Sequence, residues 1–476
     1  MDNGISKKEN LLDKITWQFS QVFSISEFGH LSKIAWPLIL SSLVTMSVSI
    51  TDVLMIGQLG TVQLAAAAAA SDYYSIFYYL AAGVAAAISP LIAQARGRKD
   101  FRIVKTIWVQ GLIVTLLMGI PAALAIYNAP MALTLIGVDQ AIVQTGTPYA
   151  HMMAIAVFPM LCLSVMHYFL SALNRTRIIL YITAASLPVN IIGNYAFLYG
   201  NWGVPEMGVA GAGVASIITG SLMFFSLLIY VLKQQCTRKY FYFPVQNSKS
   251  AEIRNSVFVL GLPIGISHFG EMGVFLFATV SMGIFGAEVL AAHTIALRMA
   301  GVFYAVPIAY AQAAMVRIGL LAGQKNIRLL TTAIKTAISF SLMAGLLLMS
   351  VLIMTRYQLP GLFIEPQKMT DIVNQQAALF ILLLALMQPS MIVGTVGAGI
   401  LRGFKDSAKP MVYSLVSYWG CGFVGALMLA FWLDLQGLGI WVGLLAATIS
   451  FAVLVVKRIV DMRDVPLAQH TTLKAS

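Results

Sequence analysis

Ser42 to Gly60 reads SLVTMSVSITDVLMIGQLG and closes a run that is apolar or small from Ile34 onward for more than twenty residues. Such a run is long enough for a helix to cross a bilayer. Asp52 sits inside it. A charged side chain on a membrane helix costs roughly 2.5–3.5 kcal/mol near the centre, less towards an end where it can snorkel to water. Two readings follow: an interfacial aspartate, or one that faces a wet cavity and binds something positive.

The whole chain shares this character. Its 476 residues are 59% hydrophobic and 10% charged, with a mean hydropathy of +0.84, whereas a soluble domain is about one quarter charged. The composition is that of an all-α polytopic membrane protein. Cys162, Cys236 and Cys421 are scattered, without the paired spacing of a disulfide framework or metal site. The polar N-terminus does not resemble a cleaved signal peptide. No HExxH, GxSxG or GxxxxGK[ST] signature is present, so no enzyme activity and no cofactor is expected.

Hydropathy predicts twelve spans, near 34–57, 67–95, 106–127, 142–170, 178–200, 208–232, 255–285, 289–316, 330–355, 372–401, 410–433 and 436–457. Basic residues outnumber acidic ones by 30 to 18, a net charge of +12. With the N-terminus inside, all but Arg298, Arg356 and Lys368 fall in cytoplasmic segments or the span ends beside them. The excess charge is therefore a topology signal, and nucleic acid is not needed to explain it. Both termini are expected to be cytoplasmic, in the inner membrane of a cell.

The chain also repeats itself. IGQLGTVQLAAA at 56–67 matches MGIFGAEVLAAH at 282–293, and AQARGRKD at 93–100 matches GLLAGQKN at 319–326, both at a shift of 226. SALNRTR at 171–177 parallels GILRGFK at 399–405. Six spans per repeat is an even number, so the two halves insert in parallel. The expected organisation is an arm with an interfacial amphipathic helix (1–33), an N-lobe (34–232), a cytoplasmic linker (233–254), a C-lobe (255–457) and a tail (458–476). Two such six-helix lobes enclose a cleft whose access alternates as they rock.

The repeat singles out two acids. Asp52 aligns with Ala278 and Glu271 with Thr45, so neither is a scaffold feature of both lobes. Glu271 lies about seventeen residues after Arg254, near the midplane at 1.5 Å per residue. Removal from water favours the uncharged form of a carboxyl group, which suits a proton carrier and equally a buried, hydrogen-bonded glutamic acid. Pro263, Gly265 and Gly270 nearby permit a kink and close approach. Asn190 and Asn194 stand one helical turn apart and share a face within reach of Asp52; asparagine pairs also bind helices to one another. His268, one turn before Glu271, is the histidine with a nearby acid. Tyr73 and Tyr78 belong to an aromatic cluster that fits either an interfacial belt or a cavity lining that stacks on flat cations. Asp72 and Arg298 occupy matching repeat positions and could pair as an outer gate.

ITDVLMIGQLG in span one, PLIAQ before the GRKD loop, LPVNIIGNYAFLYG in span five and GILRGFKD after span ten together resemble the multidrug and toxic compound extrusion (MATE) transporters. The likeness is greatest to their NorM-like branch, in which a glutamate follows GLPIG in span seven. It covers about residues 30–460. It implies a twelve-helix, two-lobe antiporter that exports organic cations against a proton or sodium gradient, with family roles at Asp52, Asn190, Asn194 and Glu271. Two positions depart from the pattern. Met391 stands where such proteins often carry an aspartate in span ten, and Ser171 where another often closes span four. A C-lobe sodium site therefore lacks oxygens. The expectation is proton-coupled export of cationic or amphipathic drugs by a monomer, with Tyr73, Tyr78, His268, Arg298 and Met391 as cleft candidates. Sodium held at Asp52, Asn190 and Asn194 is the alternative, and a lipid-linked oligosaccharide flippase, which needs several cavity Arg or Lys, is a more distant one.

Overall fold

A computed structural model describes residues 23–362 and 371–464; the arm up to residue 22 and the tail from 465 lie outside the described residues. Among those described, twelve helices are long and apolar enough to cross a membrane. They are α1 Ile25–Gly57, α2 Thr61–Gly97, α3 Arg102–Tyr127, α4 Gln140–Ala172, α5 Thr176–Phe197, α6 Val209–Lys233, α7 Asn247–Ile284, α8 Ala287–Gln324, α9 Ile327–Thr355, α10 Asp371–Gly403, α11 Ala408–Trp432 and α12 Gln436–Met462. Every expected span is found. The main differences are at polar ends: α1 begins at Ile25 and α7 at Asn247, because hydropathy cannot see helical turns whose polar side chains find partners. Two of these helices are irregular: α2 is interrupted at Ala87, and α11 widens into π turns over Val416–Val424 and Met428–Trp432.

The repeat legible in the sequence is written into the backbone. Gly60 and Gly286, each immediately before its helix, both have positive φ (135° and 109°). Lys99 and Lys325, just past the ends of α2 and α8, are both left-handed (60° and 56°), so each helix is stopped by the same terminal geometry. Pro37 in α1 and Pro263 in α7 are a third pair. Four residues on, Ser41 and Ser267 donate their hydroxyls to the proline carbonyls at 2.8 and 2.9 Å, as serines in helices commonly do.

Packing gathers the helices into two compact units. One contains α1 up to Ala35, then Ala278–Phe404, then the chain from Ser417. The other contains Trp36–Phe277 and Lys405–Val416. In the first, α10 is the central helix, packed on α8, α9 and α12; in the second it is α4, packed on α2, α3 and α6. The units follow packing, whereas the 34–232 and 255–457 division follows duplication, and the two part company in α1, α7 and α11. Each of those helices starts in one unit and continues in the other. The segment after α6 is fastened to α3: Lys105 donates to the Phe241 carbonyl at 3.2 Å, and the Gln246 amide donates to Thr106 Oγ1 at 3.0 Å.

In the second unit α2 and α7 cross backbone to backbone. A Cβ at Gly261 would lie 2.6 Å from Val84 Cα, one at Gly83 would strike the Gly265 backbone, and one at Gly265 would strike the Leu80 carbonyl. GLPIG is thus a small-xxx-small contact. Below this crossing Ile253 and Val257 enter the apolar core of Val84, Ile88, Leu91, Ile92 and Phe169.

Candidate functional site

The crossing fixes α7, and α5 fixes α1. Asn194 and Asn190 are one turn apart on α5, 0% and 1% exposed. Asn194 Nδ2 donates to Asp52 Oδ1 at 2.5 Å and to Asn190 Oδ1 at 3.2 Å. Just past α5, the Tyr199 hydroxyl donates to the Met55 carbonyl at 2.8 Å and to Gln58 Oε1 at 2.9 Å. Two successive polar contacts therefore zip the end of α1 to α5. The asparagines bind helices together and present amides to the acid at once, so the two readings of that pair are not exclusive. Asn194 Oδ1 is buried without a hydrogen-bond partner, which leaves an unsatisfied acceptor beside an acid.

The sequence pattern did not point to Tyr199 or Gln58. Their signal is faint, a tyrosine after a helix end and a glutamine in a loop, and it becomes readable once Asp52 and Asn194 are known to touch. Tyr149 on α4, paired with Ser71, also lies within electrostatic reach of Asp52.

Glu271 and His268 share one face of α7, with Nδ1 and Oε2 4.0 Å apart, and Glu271 is 12% exposed. Both fall in the same packing unit as Asp52. In that unit Tyr73 packs on Phe77 at 5.1 Å and Tyr78 stacks on Tyr74 at 5.4 Å. The Tyr78 hydroxyl is 2.8 Å from Ser164 Oγ. This cluster is braced rather than loose. Arg298 and Met391 belong to the other unit; Arg298 is exposed and Met391 is buried, its carbonyl accepting from Thr395 Oγ1 at 2.7 Å.

What this geometry offers is a carboxylate held by amide donors inside a bundle, with a second carboxyl group on another helix of the same unit. A carboxyl group so placed can take up a proton or pair with a cation. Comparison with known proteins bears on that reading. The family model MatE matches residues 37–196 and 263–428, once in each repeat. The chain is 32% identical over 433 residues to "Probable multidrug resistance protein NorM" of Mesorhizobium japonicum, covering 89% of this chain and 92% of the relative. It is 30% identical over 433 residues to "Multidrug resistance protein NorM" of Burkholderia vietnamiensis, covering 90% and 92%. Its fold superposes on the crystal structure of the eukaryotic MATE transporter AtDTX14 with a TM-score of 0.85 at 22% identity, covering 94% of this chain and 97% of that one. A MOP superfamily transporter from Pyrococcus furiosus superposes with a TM-score of 0.81 at 18% identity, covering 95% of this chain and 98% of that one. Duplicated match, full-length relatives and fold agree, and the chain belongs to the MatE family of membrane transporters.

Proposed function

We propose that this protein is a secondary multidrug antiporter that exports organic, mostly cationic compounds in exchange for protons, by alternating access of its two repeat-related halves. The observation that supports it best is Asp52 inside α1, held by Asn194 at 2.5 Å. The amide turns its nitrogen, not its oxygen, towards the acid. That arrangement serves a carboxylate waiting for a proton or a cationic drug, and the two compete for one negative charge. Once Asp52 is protonated its hydroxyl becomes a donor. Rotation of the Asn194 amide then gives Oδ1, now unpartnered, a bond to accept. Loading and unloading the acid thereby changes how α1 is tied to α5. Glu271, with His268 beside it, is the second proposed proton site. The bias of basic residues to one set of loops supports cytoplasmic termini, and the protein is proposed to act as a monomer in the inner membrane. No cofactor is invoked.

Sodium is the second reading. Asp52, Asn190 Oδ1 and the unsatisfied Asn194 Oδ1 would supply three oxygens if the amide were turned. Reconstituted vesicles separate the two ions. Ethidium export is expected to follow an imposed pH gradient in sodium-free buffer and to be indifferent to a sodium gradient at uniform pH. Flux that requires sodium and ignores pH would make the Asp/Asn cluster a sodium site.

The amide itself is testable. Asn194→Ala removes a hydrogen bond to a charged group, worth about 1.5–3 kcal/mol. Ethidium export per inserted molecule should fall on the order of tenfold or more by that measure, with the protein still folded. Unchanged export would remove Asn194 from the coupling machinery.

A further inference from the structure

The first three turns of α1 are seated in their unit by contacts that the transport reading does not use. Glu27, 3% exposed, has both carboxylate oxygens bound by Arg317 of α8: Nε to Oε2 at 2.8 Å and Nη2 to Oε1 at 2.6 Å. The Ser24 amide donates to Thr336 Oγ1 of α9 at 3.0 Å. Ser32 Oγ lies 3.1 Å from the Tyr310 hydroxyl. The Phe28 ring packs on Phe340 at 4.9 Å, and Leu31, Ile34 and Ala35 are buried.

The repeat supplies an internal control for this ion pair. At the shift of 226, Glu27 corresponds to Ile253 and Arg317 to Leu91. Those two sit together in one apolar core of the other unit. The same junction between helices is therefore built once from hydrocarbon and once from opposite charges. Helix geometry does not demand the charges. The two solutions differ when the junction opens. An apolar junction exposes hydrocarbon to water, which resists opening. A buried ion pair has surrendered the hydration of both partners and regains it on opening, so its closed and open states lie closer in free energy.

We propose that Glu27 and Arg317 are positioning residues of the transport cycle, a reversible clamp that grips the start of the Asp52 helix in one stage and releases it in another, while the Ile253/Leu91 junction stays shut. Glu27 and Asp52 lie on one helix, α1, so release of its start removes one of the two ties that hold the Asp52 helix. The proposal rests on the antiporter reading above.

The test uses full-length protein in lipid nanodiscs and vesicles, with Cys162, Cys236 and Cys421 replaced by Ser and Ser32→Cys as the reporter. Maleimide labelling of that cysteine is expected to change about threefold or more when ethidium is added, as a shift between closed and open clamps requires. Glu27→Ile with Arg317→Leu copies the other junction. It is expected to label at least about fivefold more slowly with or without ethidium, and to export ethidium about tenfold more slowly, while ethidium affinity stays within about twofold. Exchange of the charges, Glu27→Arg with Arg317→Glu, should restore labelling and export to within about threefold of the original pair. Original rates in the apolar version would overturn the clamp and leave the pair a structural contact. If the apolar version does not fold, the exchange version decides: folded protein without ethidium-dependent labelling overturns the clamp. A parent protein that neither binds nor moves ethidium fails in the first arm, and the antiporter reading falls there, together with the clamp that rests on it.

Discussion

Asp52→Asn is expected to insert and fold like the parent protein and to lose export, on the order of a hundredfold per folded molecule, the scale set by losing the charge–charge attraction to a cationic drug in a low-dielectric site. Asparagine has the shape of aspartate and keeps an oxygen for the Asn194 amide, so the bond that ties α1 to α5 survives in neutral form. What it cannot do is alternate between charged and neutral. In the proposed mechanism, protonation and drug binding both need that alternation. The repeat gives a separate reason to expect intact folding: Ala278 fills the corresponding place in the other half. Glu271→Gln should behave likewise, since Thr45 is its counterpart. Drug-resistance and vesicle-flux measurements, normalised to the amount of monodisperse protein, check both. Full resistance in a well-expressed variant would remove that residue from the mechanism.

Gly265→Val acts on folding instead. At this crossing the atom a side chain would strike is the Leu80 carbonyl oxygen, and Gly83 and Gly261 make the same backbone approach. Overpacking a site where side chains can repack costs about 1–3 kcal/mol; here the obstacle is main chain on both sides, so the helices must part. Yield of monodisperse protein should fall about tenfold or more, on the free-energy scale of that clash. Glu271, one and a half turns further along α7, would lose its placement with it. Gly283→Ala on the same helix is the control. Nothing lies within 4 Å of a Cβ there, and alanine favours a helix over glycine by about 1 kcal/mol, so its yield should match or exceed the parent's. Equal loss in both variants would mean that α7 tolerates no substitution of glycine and that the crossing is not special.

The membrane fold was legible because a bilayer leaves a chain few choices: twelve apolar runs had to become helices. The meeting of Asp52 with Asn194 was legible in outline, because an acid in an apolar run needs a partner and the i,i+4 asparagines offered one. The His268–Glu271 pair followed from helical spacing alone. Glu27 with Arg317 was not legible. Each has a sufficient local explanation, Glu27 in a polar arm and Arg317 at a span end where basic residues are common, so neither asks for the other. The division of α1, α7 and α11 between packing units was equally hidden. Hydropathy reports that a helix is buried in something, never in what. The repeat marks where the chain was duplicated, which is a different property from which segments pack together.

Glu27 and Arg317 are 290 residues apart in the chain. Synthesis at roughly 10 residues per second places about half a minute between the two. Throughout that time the glutamate that will be 3% exposed has no arginine to meet and must stay hydrated. The start of α1 therefore docks late, after α8 and α9 have been made. Biogenesis of this transporter has a built-in order: the far part of its first helix can meet α5 early, while its start is seated only once α8 and α9 exist.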